Sequence, residues 1–349
     1  MTDGGSVLDR DVDQWAFETG GKIRGSPAVT DDVVFVGSND GVLYAIDRDS
    51  REPRWQFETG SLRVHDPTVV EDTVYFTSGE GVYAVAIDSG ERAWEHGDRR
   101  IMKAPAVVGG ELYAYAVDGN GWRFHSIDTH TGEQRWTVAE NIDIEHQLKS
   151  NICVSPNLVT CASWRYLRAF DRHSGEAVWS LEPEQSVEAI AQADGTLYAG
   201  TRATDEGPNV FALEESGSYK WRTTTRNGEW ITAMTAGEDA VYASGITAHD
   251  DGTKTRRVTA LARTNGTELW STVVSEESQS SVPPRAVAVR DGDVIATGDE
   301  RLTVVDAEEG TIRDRVDVGD EIHTRPALNR GSVFVGSEHG MVFGLEDIL

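Results

Sequence analysis

Cysteine, lysine and long apolar runs are all scarce in this chain, and each shortage narrows what it can be. Two cysteines, Cys153 and Cys161, flank a Pro156-Asn157 turn. A turn of that length sets position 153 opposite position 160, so the sulfurs point to opposite faces of a sheet. Two free, buried thiols are expected rather than a disulfide. No run of about eighteen apolar residues exists, so no transmembrane helix is expected. The opening Met1-Thr-Asp-Gly-Gly-Ser-Val-Leu-Asp lacks the basic start and apolar core of a secretory signal. A cytoplasmic chain is expected, with association at the cell envelope kept open. No segment sustains a 3.6-residue apolar period, so helix should be nearly absent. Positive charge is short too: 32 basic residues stand against 59 acidic ones, for a net charge of −27. That balance argues against nucleic acid and anionic lipid as partners.

What the chain has is repetition. The same phrase recurs eight times: Trp-x-apolar, a polar loop, Pro-Ala-Val, a turn, Val-Tyr/Phe-Val-Gly-Ser, a second turn, Leu-Tyr-Ala-Ile-Asp and Ser/Thr-Gly-x-x-x-Trp. Its anchors are Trp15, Trp55, Trp94, Trp136, Trp179, Trp221 and Trp270, with Asp314 in the eighth slot, spaced 39 to 49 residues apart. A period of that length signals a solenoid, a propeller or an array. In the first unit, Val33–Gly37 and Val42–Ile46 are β-branched and aromatic runs bounded by Asp31-Asp32, Asn39-Asp40-Gly41 and a polar loop. Such runs read as short antiparallel strands, four to a unit. The last unit ends at Leu349 without a Trp strand, whereas the chain begins with an orphan one, Gln14-Trp15-Ala16-Phe17. Strand 12–18 is therefore expected to complete the final sheet and close a ring, removing its free edge. The expected organisation is a flexible tail over residues 1–10. Residues 11–349 then form one all-β, eight-bladed β-propeller of four-stranded antiparallel blades. Each indole is expected to dock on the neighbouring blade. At ~25 cal/mol per Å² and on the order of 150 Å² buried, each dock contributes several kcal/mol.

The motif Asp-x-x-Ser/Thr-Gly-x-x-x-Trp appears in full at Asp128–Trp136 and Asp171–Trp179, and in altered form at Asp88–Trp94 and Asn265–Trp270. With Pro-Ala-Val and Gly-Ser-x-Asp-Gly-x-Leu-Tyr-Ala, it resembles the tryptophan-docking repeat of the quinoprotein, or PQQ-binding-like, β-propellers. The resemblance spans nearly the whole chain. It implies two very different occupations: quinone-dependent dehydrogenases, or non-catalytic scaffolds of the BamB-like kind, typified by a lipoprotein of bacterial outer-membrane assembly. The family's dehydrogenases commonly carry a vicinal Cys-Cys disulfide over the quinone, and this sequence has no adjacent cysteines. The scaffold's lipid-anchoring Cys is likewise missing. The acidic, lysine-poor composition resembles proteins of extreme halophiles, where dense carboxylates hold hydration while salt screens their repulsion.

Searching for chemistry leaves one constellation. Nine His are scattered without metal-ligand spacing, and no Gly-x-Ser-x-Gly elbow, phosphate loop or dinucleotide fingerprint occurs. No metal, no cofactor and no catalysis are expected. In a four-stranded meander the loops entering the inner strands share one face, and they carry Arg24, His65, Lys103, Lys149, Arg285, His323 and Arg325, with Trp230 as an aromatic contact. Such a cationic rim around the channel mouth would hold an acidic peptide or protein partner. The competing reading is neutralisation by Glu18, Asp66, Glu145 and Glu321 of the same loops. The expected function is a non-catalytic binding platform using the loop face. A quinone-dependent oxidoreductase and a small-anion or sugar sensor are the alternatives.

Overall fold

The computed structural model describes residues 13–97, 104–118, 121–140, 152–163, 166–202, 207–225, 229–277, 286–298 and 300–349. Within them thirty-two strands form eight four-stranded antiparallel sheets. Blades 1 to 7 run in chain order over residues 28–58, 68–96, 106–140, 153–181, 187–223, 230–277 and 287–317. Blade 8 takes residues 327–346 and borrows its fourth strand, Asp13–Glu18, from the start of the chain. The innermost strand of each blade touches that of the next, and blade 8 touches blade 1. The ring is closed, as the orphan Trp strand implies, and the described residues contain no helix.

Middle strands such as Val33–Gly37 are buried along their whole length. Each blade lies between two others, so both faces of its sheet meet apolar neighbours, and the residues run apolar without alternation. Cys153 pairs with Thr160 in the register that the turn dictates, and both cysteines are free. Cys161 is buried, whereas Cys153 is only half-buried, because it lies on the innermost strand.

Six indoles hold six of the joints. The Nε1–H groups of Trp55, Trp94, Trp136, Trp179, Trp221 and Trp270 donate to backbone carbonyls of the following blade at 2.7–3.0 Å. Each ring lies over the glycine of the next motif: Gly90, Gly132, Gly175, Gly217, Gly266 and Gly310. These adopt φ of +71° to +81°, and a Cβ on any of them would fall 2.5–2.8 Å from an indole atom. Glycine is required twice over, by the left-handed backbone and by the ring above it. The motif's Asp builds the same turn: Asp128 Oδ1 accepts from the amides of His130 and Thr131 at 2.9 and 3.0 Å, and Asp171 Oδ1 accepts from His173 and Ser174 at 3.0 and 2.8 Å.

Trp15 corrects the expectation of seven equivalent docks. In blade 1 the glycine slot holds Arg51, at φ 62°, and an indole cannot settle over its side chain. Trp15 instead lies opposite Gly344 of its own blade and donates to Glu346 Oε1 at 3.2 Å. The joint between blades 8 and 1 combines an apolar cluster, in which Trp15, Phe334 and Val342 meet Val34, Val36 and Ile46, with charged contacts. Arg48 Nη1 donates to Asn329 Oδ1 at 3.2 Å, its Nη2 donates to Ser332 Oγ at 3.2 Å and Glu346 Oε2 at 2.9 Å, and its guanidinium lies 4.9 Å from the Phe334 ring centre. Arg51 Nη2 meets Asp13 Oδ2 at 2.7 Å, tying the closing strand to blade 1.

The joint between blades 5 and 6 encloses an awkward group. Glu229 is 1% exposed, neither carboxylate oxygen has a hydrogen-bond partner among the described residues, and Arg257 Nε stands 3.6 Å from Oε1. Burial pushes its carboxyl up to about 7, with Thr225 and Arg257 pulling the other way. The folded state thus holds this proton more tightly than the unfolded chain, whose ordinary value is 4.5. Stability from this group is full below pH 4.5 and is lost as pH rises through about 7.

Two outcomes are expected. Gly175→Ala should lower stability by ~2–4 kcal/mol in urea denaturation, combining the left-handed cost with displacement of the Trp136 ring. Gly60→Ala, at φ +73° with nothing within 4 Å of the new carbon, should lose only ~1–2 kcal/mol, and equal losses would contradict the dock. Glu229→Gln should flatten the fall in stability between pH 4.5 and about 7 and exceed the wild type above it; an unchanged slope contradicts the assignment.

Candidate functional site

The loops entering the inner strands do lie on one face, but their cations do not form a uniform ring. Lys22 and Arg24 leave blade 8's closing strand on the way to blade 1, and both meet one carboxylate, Glu338 on the last hairpin; the Arg24 Nη2–Oε1 distance is 3.1 Å. His323 is wedged beside it, with Nε2 3.1 Å from Glu321 Oε1 and 3.8 Å from Glu338 Oε2, though neither approach has hydrogen-bond geometry. Burial alone would raise the Glu338 carboxyl, but hydrogen bonds from Lys22 and Arg24 hold it below the usual carboxylate range. The sequence pattern pairs these cations with carboxylates of their own loops. Glu321 fits that expectation for His323, whereas Glu338 lies more than 300 residues from Lys22 and Arg24 and reaches them only through ring closure.

His65 is half-buried, and its amide donates to Thr77 O at 2.9 Å. Trp230 opens the inner strand of blade 6, Trp230–Ala236. It is half-buried, its indole N–H finds no acceptor among the described residues, and Arg202 lies 5.3 Å from the ring centre. Lys103, Lys149 and Arg285 lie outside the described residues, as does Trp164. Trp122, the third tryptophan outside the ladder, is 6% exposed and stacks on Tyr115 in the core between blades 3 and 4.

Arg325, of the same predicted set, is half-buried. Its backbone amide donates to Ser26 Oγ at 3.1 Å, where the entries of blades 8 and 1 meet. Its guanidinium makes no hydrogen bond or ion pair among the described residues. Burial lowers its pKa, with partial relief from Asp66 of blade 2 and Cys153 of blade 4. The Cys153 thiol, pushed up to about 12 by burial, feels the same cation.

One surface feature stands apart from the predicted rim. Leu62, between Ser61 and Arg63 in the loop joining blades 1 and 2, is 79% exposed. Arg63 is exposed and takes no partner among the described residues. This loop joins the one carrying Lys22 and Arg24 through the Ser38–Gly41 turn: Asn39 N donates to Lys22 O at 2.9 Å, and Val64 N donates to Ser38 O at 3.2 Å. A close approach forces glycine at position 41, where φ is +90° and a Cβ would meet Ser61 O at 2.0 Å. The signal in the sequence is a leucine flanked by Ser61 and Arg63 in the linker between two blades. A separate cavity of about 150 Å³ beside blade 5 is lined by Glu182, Glu184, Tyr219 and Arg222, away from these cations.

Comparison with known proteins agrees with the ring. The family described as outer membrane protein assembly factor BamB matches residues 5–102 and 165–347. Among curated proteins, the serine/threonine-protein kinase AfsK of Streptomyces coelicolor is 28% identical over 133 residues, 38% of this chain and 15% of the kinase. The chain thus matches only a small part of that relative's length. Among solved structures, the computationally designed Ika8 protein superposes with a TM-score of 0.77 at 16% identity, covering 94% of this chain and 97% of that one. BamB from Moraxella catarrhalis gives 0.69 at 15% identity over 96% and 99%. Quinohemoprotein alcohol dehydrogenase from Comamonas testosteroni gives 0.71 at 13% identity over 95% and 76%. At such identities these three share the fold alone. On the span of its repeat match, the chain belongs to the BamB-like family of PQQ-type β-propellers.

Proposed function

We propose that this propeller is a non-catalytic binding platform for a protein or peptide, docked on the loop face over blades 1 and 2. One observation carries the reading: Leu62, 79% exposed, stands next to the exposed Arg63, in a loop that hydrogen-bonds through the Ser38–Gly41 turn to the one carrying the exposed Lys22 and Arg24, in a chain of net charge −27. An apolar tip with cations in its own and the adjoining loop suits a partner segment that pairs an apolar residue with carboxylates. Lys22 and Arg24 share a single carboxylate, so the patch keeps positive charge to offer. The ring holds these loops rigid, so little ordering cost accompanies docking. In molar salt the Debye length falls to ~3 Å, and the apolar contact at Leu62 then matters more than long-range attraction.

A labelled peptide alternating Asp or Glu with Leu tests this by fluorescence anisotropy across a KCl series. The wild type should bind it saturably, and Leu62→Glu/Arg63→Glu should weaken binding roughly tenfold or more. Equal binding by the charge-reversed variant contradicts the surface. Reduction of a dye with an alcohol substrate, after addition of quinone and Ca²⁺, would favour the oxidoreductase alternative instead.

A further inference from the structure

Where the two ends of the chain meet on the loop face, one histidine is surrounded by charge that leaves its ring unsatisfied. His323 precedes the inner strand Ala327–Asn329 of blade 8, and its side chain is 11% exposed. Its Nε2 is buried and has no hydrogen-bond partner among the described residues. Two carboxylate oxygens face that nitrogen, Glu321 Oε1 at 3.1 Å and Glu338 Oε2 at 3.8 Å. Glu338 Oε2 is likewise buried without a partner, whereas the other oxygen, Oε1, takes both Lys22 and Arg24. Asp320 and His339 complete the cluster as a pair, and the hydrogen bond from His339 pushes its imidazole pKa up. With both imidazoles neutral, the cluster sets two cations against three carboxylates; with both protonated, it sets four against three. Its net sign therefore reverses across the range in which histidine titrates.

We infer, resting on the docking surface proposed above, that His323 is its pH-sensitive latch: protonated, it engages Glu338 and frees Lys22 and Arg24 for the carboxylates of the partner. A neutral imidazole carries one N–H and no charge, whereas a protonated one donates from both nitrogens. A proton on Nε2 then lies between the two buried atoms that lack partners, in a charge-assisted bond. With a third cation on Glu338, Lys22 and Arg24 are held less tightly. Both are exposed, and their loop is hydrogen-bonded through the Ser38–Gly41 turn to the loop of Leu62 and Arg63. Binding and protonation are linked reciprocally, so an acidic partner binds more tightly as pH falls and docks with uptake of a proton. The exchange takes place at contact distance around partly buried groups, where salt screens it less than long-range attraction.

Two measurements test the latch, one of them without a partner. In the free protein, NMR titration from about pH 8 to about pH 5 should move the Arg24 Nε–H signal with the same midpoint as the His323 ring. His323→Gln should remove that movement, and so should Glu338→Gln, which deletes the shared carboxylate. His339→Gln should leave it in place. With the peptide alternating Asp or Glu with Leu, whose carboxylates stay largely ionised over this range, anisotropy should show roughly fivefold or more tighter binding at the acid end. His323→Gln should flatten that dependence. An Arg24 signal indifferent to His323, or a pH dependence of binding that survives in His323→Gln, would overturn the latch. Movement of the Arg24 signal with His323 and no peptide binding at any pH would support the latch at Glu338 and contradict the docking surface instead.

Discussion

An indole that fits only over a residue with no side chain is the contact on which the rest of the ring depends. Each dock needs a tryptophan on one blade and a left-handed glycine on the next, so blades 1 to 6 each dock into a seat on the blade that follows. The stabilisation is apolar burial plus one satisfied indole N–H, repeated around six joints. The two joints of blade 8 are built otherwise. Asp314 occupies the tryptophan slot on one side, and Arg51 occupies the glycine slot on the other. Blade 8 meets blade 7 through the apolar packing of Val318, Ile322, Phe343 and Ile348, and meets blade 1 through the Arg48 clasp, the Arg51–Asp13 pair and the apolar cluster of Trp15, Phe334, Val34 and Val36.

This division of labour shapes the loop face. Near blade 8 polar residues do structural work: Glu338 gathers Lys22 and Arg24, and Asp320 holds His339 and Ser337. Cations left outside that network are available to meet something else. Among the described residues, Arg63 is one such cation, at the surface beside Leu62.

Much of the fold was legible in the sequence. The tryptophan spacing gave the eight blades, and the orphan strand at Trp15 gave the closure, because both are local patterns repeated at a fixed interval. The odd behaviour of Trp15 was also written there: Asp47-Arg-Asp-Ser-Arg51 lacks the glycine that Asp171-Arg-His-Ser-Gly175 keeps. That signal becomes readable only once the indole is known to sit over the next blade's glycine. The site was less legible. Cations at the entering loops could be found from their positions in the repeat, but Glu338 meets Lys22 across the closed seam, a contact that no local pattern encodes.

The central claim is that the strand Asp13–Glu18 is an integral member of the last sheet, paired from Asp13↔Glu346 to Glu18↔Met341. Native-state amide hydrogen exchange in molar salt tests it most directly. The account predicts that the strand amides donating to Met341–Glu346 exchange only through global unfolding, with protection equal to that of the buried strand Val33–Gly37. Exchange of those amides at the rate of an exposed loop, while the other blades stay protected, would contradict it.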